Sequence, residues 1–336
     1  MDKYITAPWT WLAPCSDALP ACPGKGYNQG NGVIIRMSFA SVLLNLSFGI
    51  ADFFRDLGVK EPPGIFCHAG IDYAGDGLPA HRMDLNMPAT AQGPLPVIVS
   101  VHGGGWVYGG NGVYRHYCAR LAAAGFAVLN INYRLAPKYK FPAALQDLNA
   151  VFHWIDGHAS DHGLDRANLF VVGDSAGAQI ACQYLAALSN PVYASRFPLQ
   201  APAITVSALA CICGLFDPLG QLEDATVPWW NRALLRGLMG DLFGDEPTQY
   251  QDIMSYWQWV GPGFPPVFIA NSLNDLLVGS QPSILPRLAQ RSVQVVYKEY
   301  GKGMPLAGHV FHLNPRSWLG AQLNNDTLAF FRNYIK

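Results

Sequence analysis

The chain carries little charge. Only 13% of its 336 residues are Asp, Glu, Lys or Arg, and the formal net charge is -1. Nothing here supplies the basic excess that neutralises phosphates, so a nucleic-acid partner is not expected. Paired metal-ligand spacing is also missing. The seven cysteines (Cys15, Cys22, Cys67, Cys118, Cys182, Cys211 and Cys213) form no C-x-x-C pair and have no His-rich neighbour. No zinc site follows from that pattern, and no cofactor is expected. An odd set of scattered cysteines fits a reducing, cytoplasmic setting, with a disulfide between Cys15 and Cys22 as the main alternative. Long apolar runs are absent too. The richest stretch, residues 33–50, is broken by Arg36, Asn45 and several serines. It falls short of the roughly 20 apolar residues that span a bilayer, and reads as an amphipathic or buried helix. The start, Met1-Asp2-Lys3, has no apolar core of a cleaved signal peptide. No repeat or low-complexity tract is visible.

What is present is apolar material for a large core, with 50% hydrophobic residues. Residues 1–30 are rich in Pro, Gly, Trp and Cys and read as irregular, and residues 32–57 as a helix. Strands and helices then alternate. Residues 64–73 and 81–87 read as paired edge strands around a turn at 75–77. Residues 95–101 (LPVIVSV) are apolar throughout, as a strand buried on both faces would be. Helices follow at 114–124 and 142–158, the second with Pro at its first position, and a strand lies between them at 126–132. Residues 169–173 form a strand that runs into a helix at 175–188. Further strands are expected at 204–215, 267–271 and 293–300, with a closing helix at 314–334. This alternation predicts an α/β fold with a mostly parallel central sheet and helices on both faces. The predicted organisation is an N-terminal segment with a cap helix (1–60) and a catalytic domain (61–336) that carries a cap insertion at about 218–262.

The chemistry concentrates at Gly173-Asp174-Ser175-Ala176-Gly177. It fits G-x-S-x-G between an apolar strand and a helix, the setting that thrusts a serine hydroxyl out of a tight turn. The alternative is a glycine-rich turn with an inert serine. A second cluster, His102-Gly103-Gly104-Gly105-Trp106, directly follows the strand 95–101. Acyl transfer builds negative charge on a carbonyl oxygen, and glycines let backbone N–H groups reach it. Gly104, Gly105 and Ala176 are the predicted oxyanion donors. Trp106 and Tyr108, beside the run, are candidate substrate contacts, and His102 reads as a loop-holding residue. A phosphate cradle is disfavoured, because the run lacks the Lys-Ser/Thr ending of a P-loop and G-x-G-x-x-G spacing.

A serine nucleophile needs a base, and the base needs an orienting acid. Where the chain order is Ser, then acid, then His, only His309 and His312 follow Ser175. His309 follows a strand and a glycine-containing loop (301–308) and is the preferred base. Asp275, just past the strand 267–271, is the preferred acid; Asp217, one strand earlier, is its rival. Asp174 adjoins the nucleophile and is not expected to reach His309. Asp147 and Asp156 read as helix-surface or structural groups.

Four motifs in order carry a resemblance: HGGGW (102–106), YRLAP (133–137), FPAALQD (141–147) and GDSAGA (173–178). They resemble the hormone-sensitive-lipase-like α/β-hydrolases, a group of carboxylesterases and arylacetamide deacetylases, over roughly residues 80–335. The resemblance implies an acid in a D-x-L segment, here Asp275-Leu276-Leu277, and a base in an H-x-F segment, here His309-Val310-Phe311. It departs at Gly279, where the family often has a second acid. It also implies a helical cap over an acyl pocket. The cap candidates are aromatic (Trp9, Trp11, Phe39, Phe48, Phe53, Phe54, Trp229, Trp230, Trp257 and Trp259), which suits a small, hydrophobic ester, although each ring could simply pack cap on core. The implied activity is serine esterase chemistry with Ser175, His309 and Asp275. The alternatives are acyl transfer, lactonisation, cyclisation or elimination on a specialised metabolite, and a silent ligand receptor. A homodimer is compatible with this reading.

Overall fold

The computed structural model describes residues 36–244, 247–275, 284–304 and 307–336. The expectations for residues 1–30, including Trp9, Trp11 and a Cys15–Cys22 disulfide, lie outside the described residues, as do Leu276, Leu277 and Gly279.

Eight strands form one sheet: β1 (Ile65–Asp72), β2 (Arg82–Pro88), β3 (Leu95–Val101), β4 (Ala127–Ile131), β5 (Leu164–Asp174), β6 (Ala208–Ile212), β7 (Val267–Ser272) and β8 (Val295–Tyr300). Their order is β1-β2-β4-β3-β5-β6-β7-β8. The β1/β2 and β2/β4 pairs are antiparallel, and every later pair is parallel. β3, β4, β6 and β7 are buried almost throughout, because helices cover both faces. Alternate residues feed two separate cores. Val97, Val99 and Val101 face one and Ile98 the other; Leu169 and Val171 oppose Phe170 and Val172 in the same way. The first core also takes α3 (Ala143–His158) and α4 (Ala176–Ser189). The second takes α10 (Trp318–Arg332), whose Phe331 stacks on Phe170 at 4.8 Å, and α2 (Asn111–Ala123).

The remaining helices are α1 (Phe39–Asp56), α5 (Pro191–Ala194), α6 (Pro218–Glu223), α7 (Trp229–Phe243), α8 (Gln251–Met254) and α9 (Ile284–Ala289). Helix α1 packs against α7. The Asp241 carboxylate of α7 accepts from the Ser38 N–H at the α1 N-terminus (2.9 Å) and from the Ser41 hydroxyl. Ala40 sits so close to Gly237 that a Cβ there would fall 2.6 Å from the Ala40 Cβ.

Several boundaries differ from the sequence reading. β5 begins at Leu164, not 169: Leu164 and Asp165 pair with Leu95 and Pro96 before the register shifts. The shift falls where Asp165 turns its side chain onto the Ala167 N–H and the Asn168 amide, and this polar segment hid the strand. β6 spans 208–212 rather than 204–215, since Cys213 adopts φ 48° and ends it. Pro142 caps α3 rather than opening it. Helix α1 is amphipathic in an unexpected sense. It buries Ala40, Ser41 and Leu44, while Phe39, Leu46, Ile50, Phe53 and Phe54 are exposed. Among the described residues, no helix is long and apolar enough to cross a membrane.

Candidate active site

Ser175 sits between β5 and α4 with φ 49° and ψ -121°, a strained turn for a residue with a side chain. Its N–H donates to the Ile212 carbonyl and its carbonyl accepts from the Leu215 N–H, which clamps the turn to the end of β6. The flanking glycines are required by contact. A Cβ at Gly173 would lie 2.7 Å from the Gly177 carbonyl carbon, and one at Gly177 would lie 2.1 Å from the Val101 oxygen.

The structure brings three of the predicted residues together. His309 Nε2 lies 3.0 Å from Ser175 Oγ, and His309 Nδ1 lies 2.7 Å from Asp275 Oδ2. The carboxylate side chain is 1% exposed and the imidazole 10%, so the pair is shielded from water. Burial pushes the His309 pKa down, but the charge and hydrogen bond of Asp275, with a smaller push from Asp174, outweigh it and leave the pKa raised. Asp217 is engaged elsewhere: its carboxylate accepts from the Gly220 N–H and from Arg287 at 2.8 Å. His312 is buried against Tyr117, and burial drops its pKa to about 3.

Backbone strain gathers at these residues, apart from Ser292 in the turn before β8. Five described non-glycine residues have positive φ: Trp106, Ser175, Cys213, Ser292 and Val310. Trp106 follows Gly105, Val310 follows His309, and Cys213 lies within 4.8 Å of ligand atoms of Asp275 and His309. Such outliers persist where surrounding structure holds them, and they cluster at functional sites. The Cys213, Asp275 and His309 group does not suit a metal ion: Asp275 and His309 are bonded to each other, and burial holds the thiol pKa well above its ordinary value.

The glycine run lies beside Ser175, and a Cβ at Gly103 would fall 3.1 Å from the Ser175 Cβ. His102 anchors it. Its ring stacks on Tyr133 at 4.1 Å, its Nδ1–H donates to the Gly103 carbonyl at 2.7 Å, and the Tyr133 hydroxyl donates to the His102 carbonyl. Burial pushes the His102 pKa down to about 4, so this ring is a neutral brace. Gly104 and Gly105 take φ 115° and 59°. Among the described residues the N–H groups of Gly104 and Gly105 meet no protein acceptor, and that of Ala176, at the first position of α4, has no intrahelical one.

The candidate substrate contacts stand differently. The Trp106 indole is 2% exposed and donates to Gln179 Oε1 at 3.0 Å. Tyr108 donates its hydroxyl to Asp52 of α1 at 2.7 Å and meets Phe48 edge-on. Helix α1 also reaches the glycine run itself, because Leu44 of α1 and Leu238 of α7 cover Gly105. Among the described residues, the aromatic cap candidates do not converge on a ring-lined pocket. Phe39, Phe53, Phe54 and Trp229 are more than 60% exposed. Trp257 carries Arg287 over its ring, and Trp259 stacks on Tyr193. Two aspartates set aside as candidates for the acid carry more than expected. Asp147 is buried, not on a helix surface, and ties YRLAP to FPAALQD by accepting from the Arg134 N–H and guanidinium and contacting His81. Asp174 is fully buried and bonded to Tyr114, which no motif announced.

The fold is that of solved esterases. Esterase B from Lactobacillus rhamnosis superposes with a TM-score of 0.80 at 22% identity, over 88% of this chain and 95% of that one. The Pyrobaculum calidifontis esterase gives 0.68 at 22% identity, over 87% and 91%. Among curated proteins, Esterase LipC of Mycobacterium tuberculosis is 29% identical over 268 residues, 76% of this chain and 63% of that protein. Tuliposide A-converting enzyme 1 of Tulipa gesneriana is 41% identical over 269 residues, 71% and 62% respectively. The chain thus spans less than two thirds of the length of these curated relatives. The BD-FAE family model matches residues 83–287, which hold the glycine run, the serine turn and Asp275. By that match the chain belongs to the BD-FAE family.

Proposed function

We propose that this chain is a carboxylic ester hydrolase that cleaves a small, uncharged, mostly hydrophobic ester through an acyl-enzyme on Ser175. The observation that carries the reading is the continuous chain from Asp275 through His309 to Ser175, at 2.7 and 3.0 Å. Ser175 Oγ attacks the ester carbonyl while His309 Nε2 takes its proton. Asp275 holds the imidazole tautomer and stabilises the imidazolium. The oxyanion then accepts from the N–H groups of Gly104, Gly105 and Ala176. His309 returns the proton to the leaving alcohol, and water, activated by the same imidazole, clears the acyl group. No metal or organic cofactor enters these steps. The esterase names of the curated relatives support this reading.

The proposal assigns a capping role to α1 and to residues 218–262, supported by Leu44 and Leu238 over Gly105. Tyr108 is the better placed of the two substrate-contact candidates, since Trp106 is buried with its N–H engaged. The proposal extends to a cytoplasmic setting, supported by the cysteine spacing, and to a small-molecule partner, supported by the near-neutral charge. A second reading, the same triad used for acyl transfer, lactonisation, cyclisation or elimination on a specialised metabolite, is supported by the 41% identity to a relative named for converting tuliposide A.

Turnover of short p-nitrophenyl esters by the wild type and by Ser175→Ala tests the first reading. Activity that vanishes in the variant supports it. A wild type that neither turns over esters nor is labelled by a fluorophosphonate refutes it. Recovery of an internal ester instead of free acid would favour the second reading.

A further inference from the structure

We propose that Asp174 and Tyr114 are positioning residues that set the glycine run for oxyanion binding; this rests on the hydrolase reading above. The geometry is a relay from the turn that carries the nucleophile to the loop that carries the N–H donors. The Tyr114 hydroxyl, on α2, donates to Asp174 Oδ2 at 2.7 Å and accepts from the Gly103 N–H at 2.9 Å. The same carboxylate oxygen lies against Gly103, so that a Cβ there would meet it at 2.7 Å. Asp174 and Tyr114 are 3% and 4% exposed. That burial shields these bonds, and a buried polar network acts as a unit when every member is satisfied.

The relay stops one residue short of the donors. Gly103 is held by Tyr114 through its N–H and by His102 through its carbonyl. The next two N–H groups, of Gly104 and Gly105, have no protein acceptor among the described residues. Anchoring Gly103 to the residue that precedes Ser175 therefore couples nucleophile and donors in one rigid piece. Preorganised donors of this kind act on the transition state more than on substrate binding.

The Asp174 and His309 charges also act on each other. Tyr114, His309 and Arg55 bear on the Asp174 charge, and Tyr117, Tyr133 and Cys213 feel it in turn. Burial raises its pKa to about 7, while its anion favours the charged imidazole of His309.

The test compares wild type, Tyr114→Phe, Asp174→Asn and the double variant. Each is measured by thermal melting, by the rate of Ser175 labelling with a fluorophosphonate, and by kcat and KM on p-nitrophenyl butyrate. Tyr114→Phe keeps the ring and removes only the relay oxygen, so it serves even where Asp174→Asn folds poorly. The expected result is a drop of about tenfold or more in kcat and in labelling rate for each single variant, with KM within about twofold. The double variant should fall no further than the worse single one, because both act through the same relay. In Asp174→Asn the acid limb of the kcat/KM profile should move only slightly to lower pH, since a carboxyl with a pKa of about 7 is partly ionised where His309 titrates. The proposal is overturned if Tyr114→Phe melts lower but keeps wild-type kcat and labelling rate, or if the two losses multiply. A wild type that is neither active nor labelled would instead sink the hydrolase reading.

Discussion

Gly104 and Gly105 are adjacent, both lie at positive φ, and yet should respond differently to alanine. At Gly104, with φ 115°, an added Cβ would fall 2.1 Å from the Tyr108 carbonyl oxygen and 2.6 Å from its carbon. Those atoms belong to a turn in which the Gly104 carbonyl accepts from the N–H groups of Val107 (3.2 Å) and Tyr108 (3.0 Å). Backbone cannot yield by more than an ångström without opening that turn. Losing two hydrogen bonds at about 1 kcal/mol each, with about 1–2 kcal/mol of left-handed strain, costs about 3–4 kcal/mol. At about 2–4 °C per kcal/mol, the melting temperature should fall by roughly 6–16 °C. The displaced N–H should lower kcat by about a hundredfold or more, equivalent to about 2.7 kcal/mol of transition-state stabilisation. At Gly105, with φ 59°, the nearest atoms are the Leu238 and Leu44 methyls at 3.0 and 3.2 Å. Side-chain ends can give way, and the left-handed region costs alanine about 1–2 kcal/mol. Gly105→Ala should therefore melt only a few degrees lower and keep kcat within about tenfold. Ester hydrolysis and thermal melting on the two purified variants decide the matter. A Gly104→Ala protein with wild-type kcat, or two variants that behave alike, would refute the argument.

Asp275→Asn should lower kcat by about four orders of magnitude, because the amide favours the wrong imidazole tautomer. Its residual activity should show an acid limb at lower pH than the wild type, whose His309 pKa is raised by the Asp275 charge; a pH profile of kcat/KM checks both. His312 is buried and neutral, with its pKa lowered to about 3 and no partner for either ring nitrogen among the described residues. The unfolded chain binds its proton near pH 6.5, so this residue withdraws stability as pH falls from about 6.5 toward 3, at up to about 1.4 kcal/mol per pH unit. His312→Leu should flatten the stability profile across that window in denaturant titrations, and an unchanged slope would show that the ring is not buried as a neutral group.

The strands, their parallel run and the turn around Ser175 are written locally. Apolar runs such as LPVIVSV and LFVV suit strands buried on both faces, and glycines at 173 and 177 permit a turn that a side chain would block. The meeting of Ser175, Asp275 and His309 was also legible, because few histidines follow Ser175. What the chain order could not supply is distance. Asp217 and Asp275 both end strands, and only the sheet order and the Arg287 ion pair leave Asp275 beside His309. Asp147 and Asp174 looked incidental for the same reason: their partners, Arg134 and Tyr114, come from other elements. Helix α1 illustrates the limit most clearly. Its apolar residues predicted a buried face, yet α1 buries only Ala40, Ser41 and Leu44 against its neighbours and leaves its large side chains exposed. Periodicity records which residues share a face of a helix. Which face meets the protein depends on the closeness of approach, here set by Gly237, Asp241 and Gly105, and that is decided only when the elements pack.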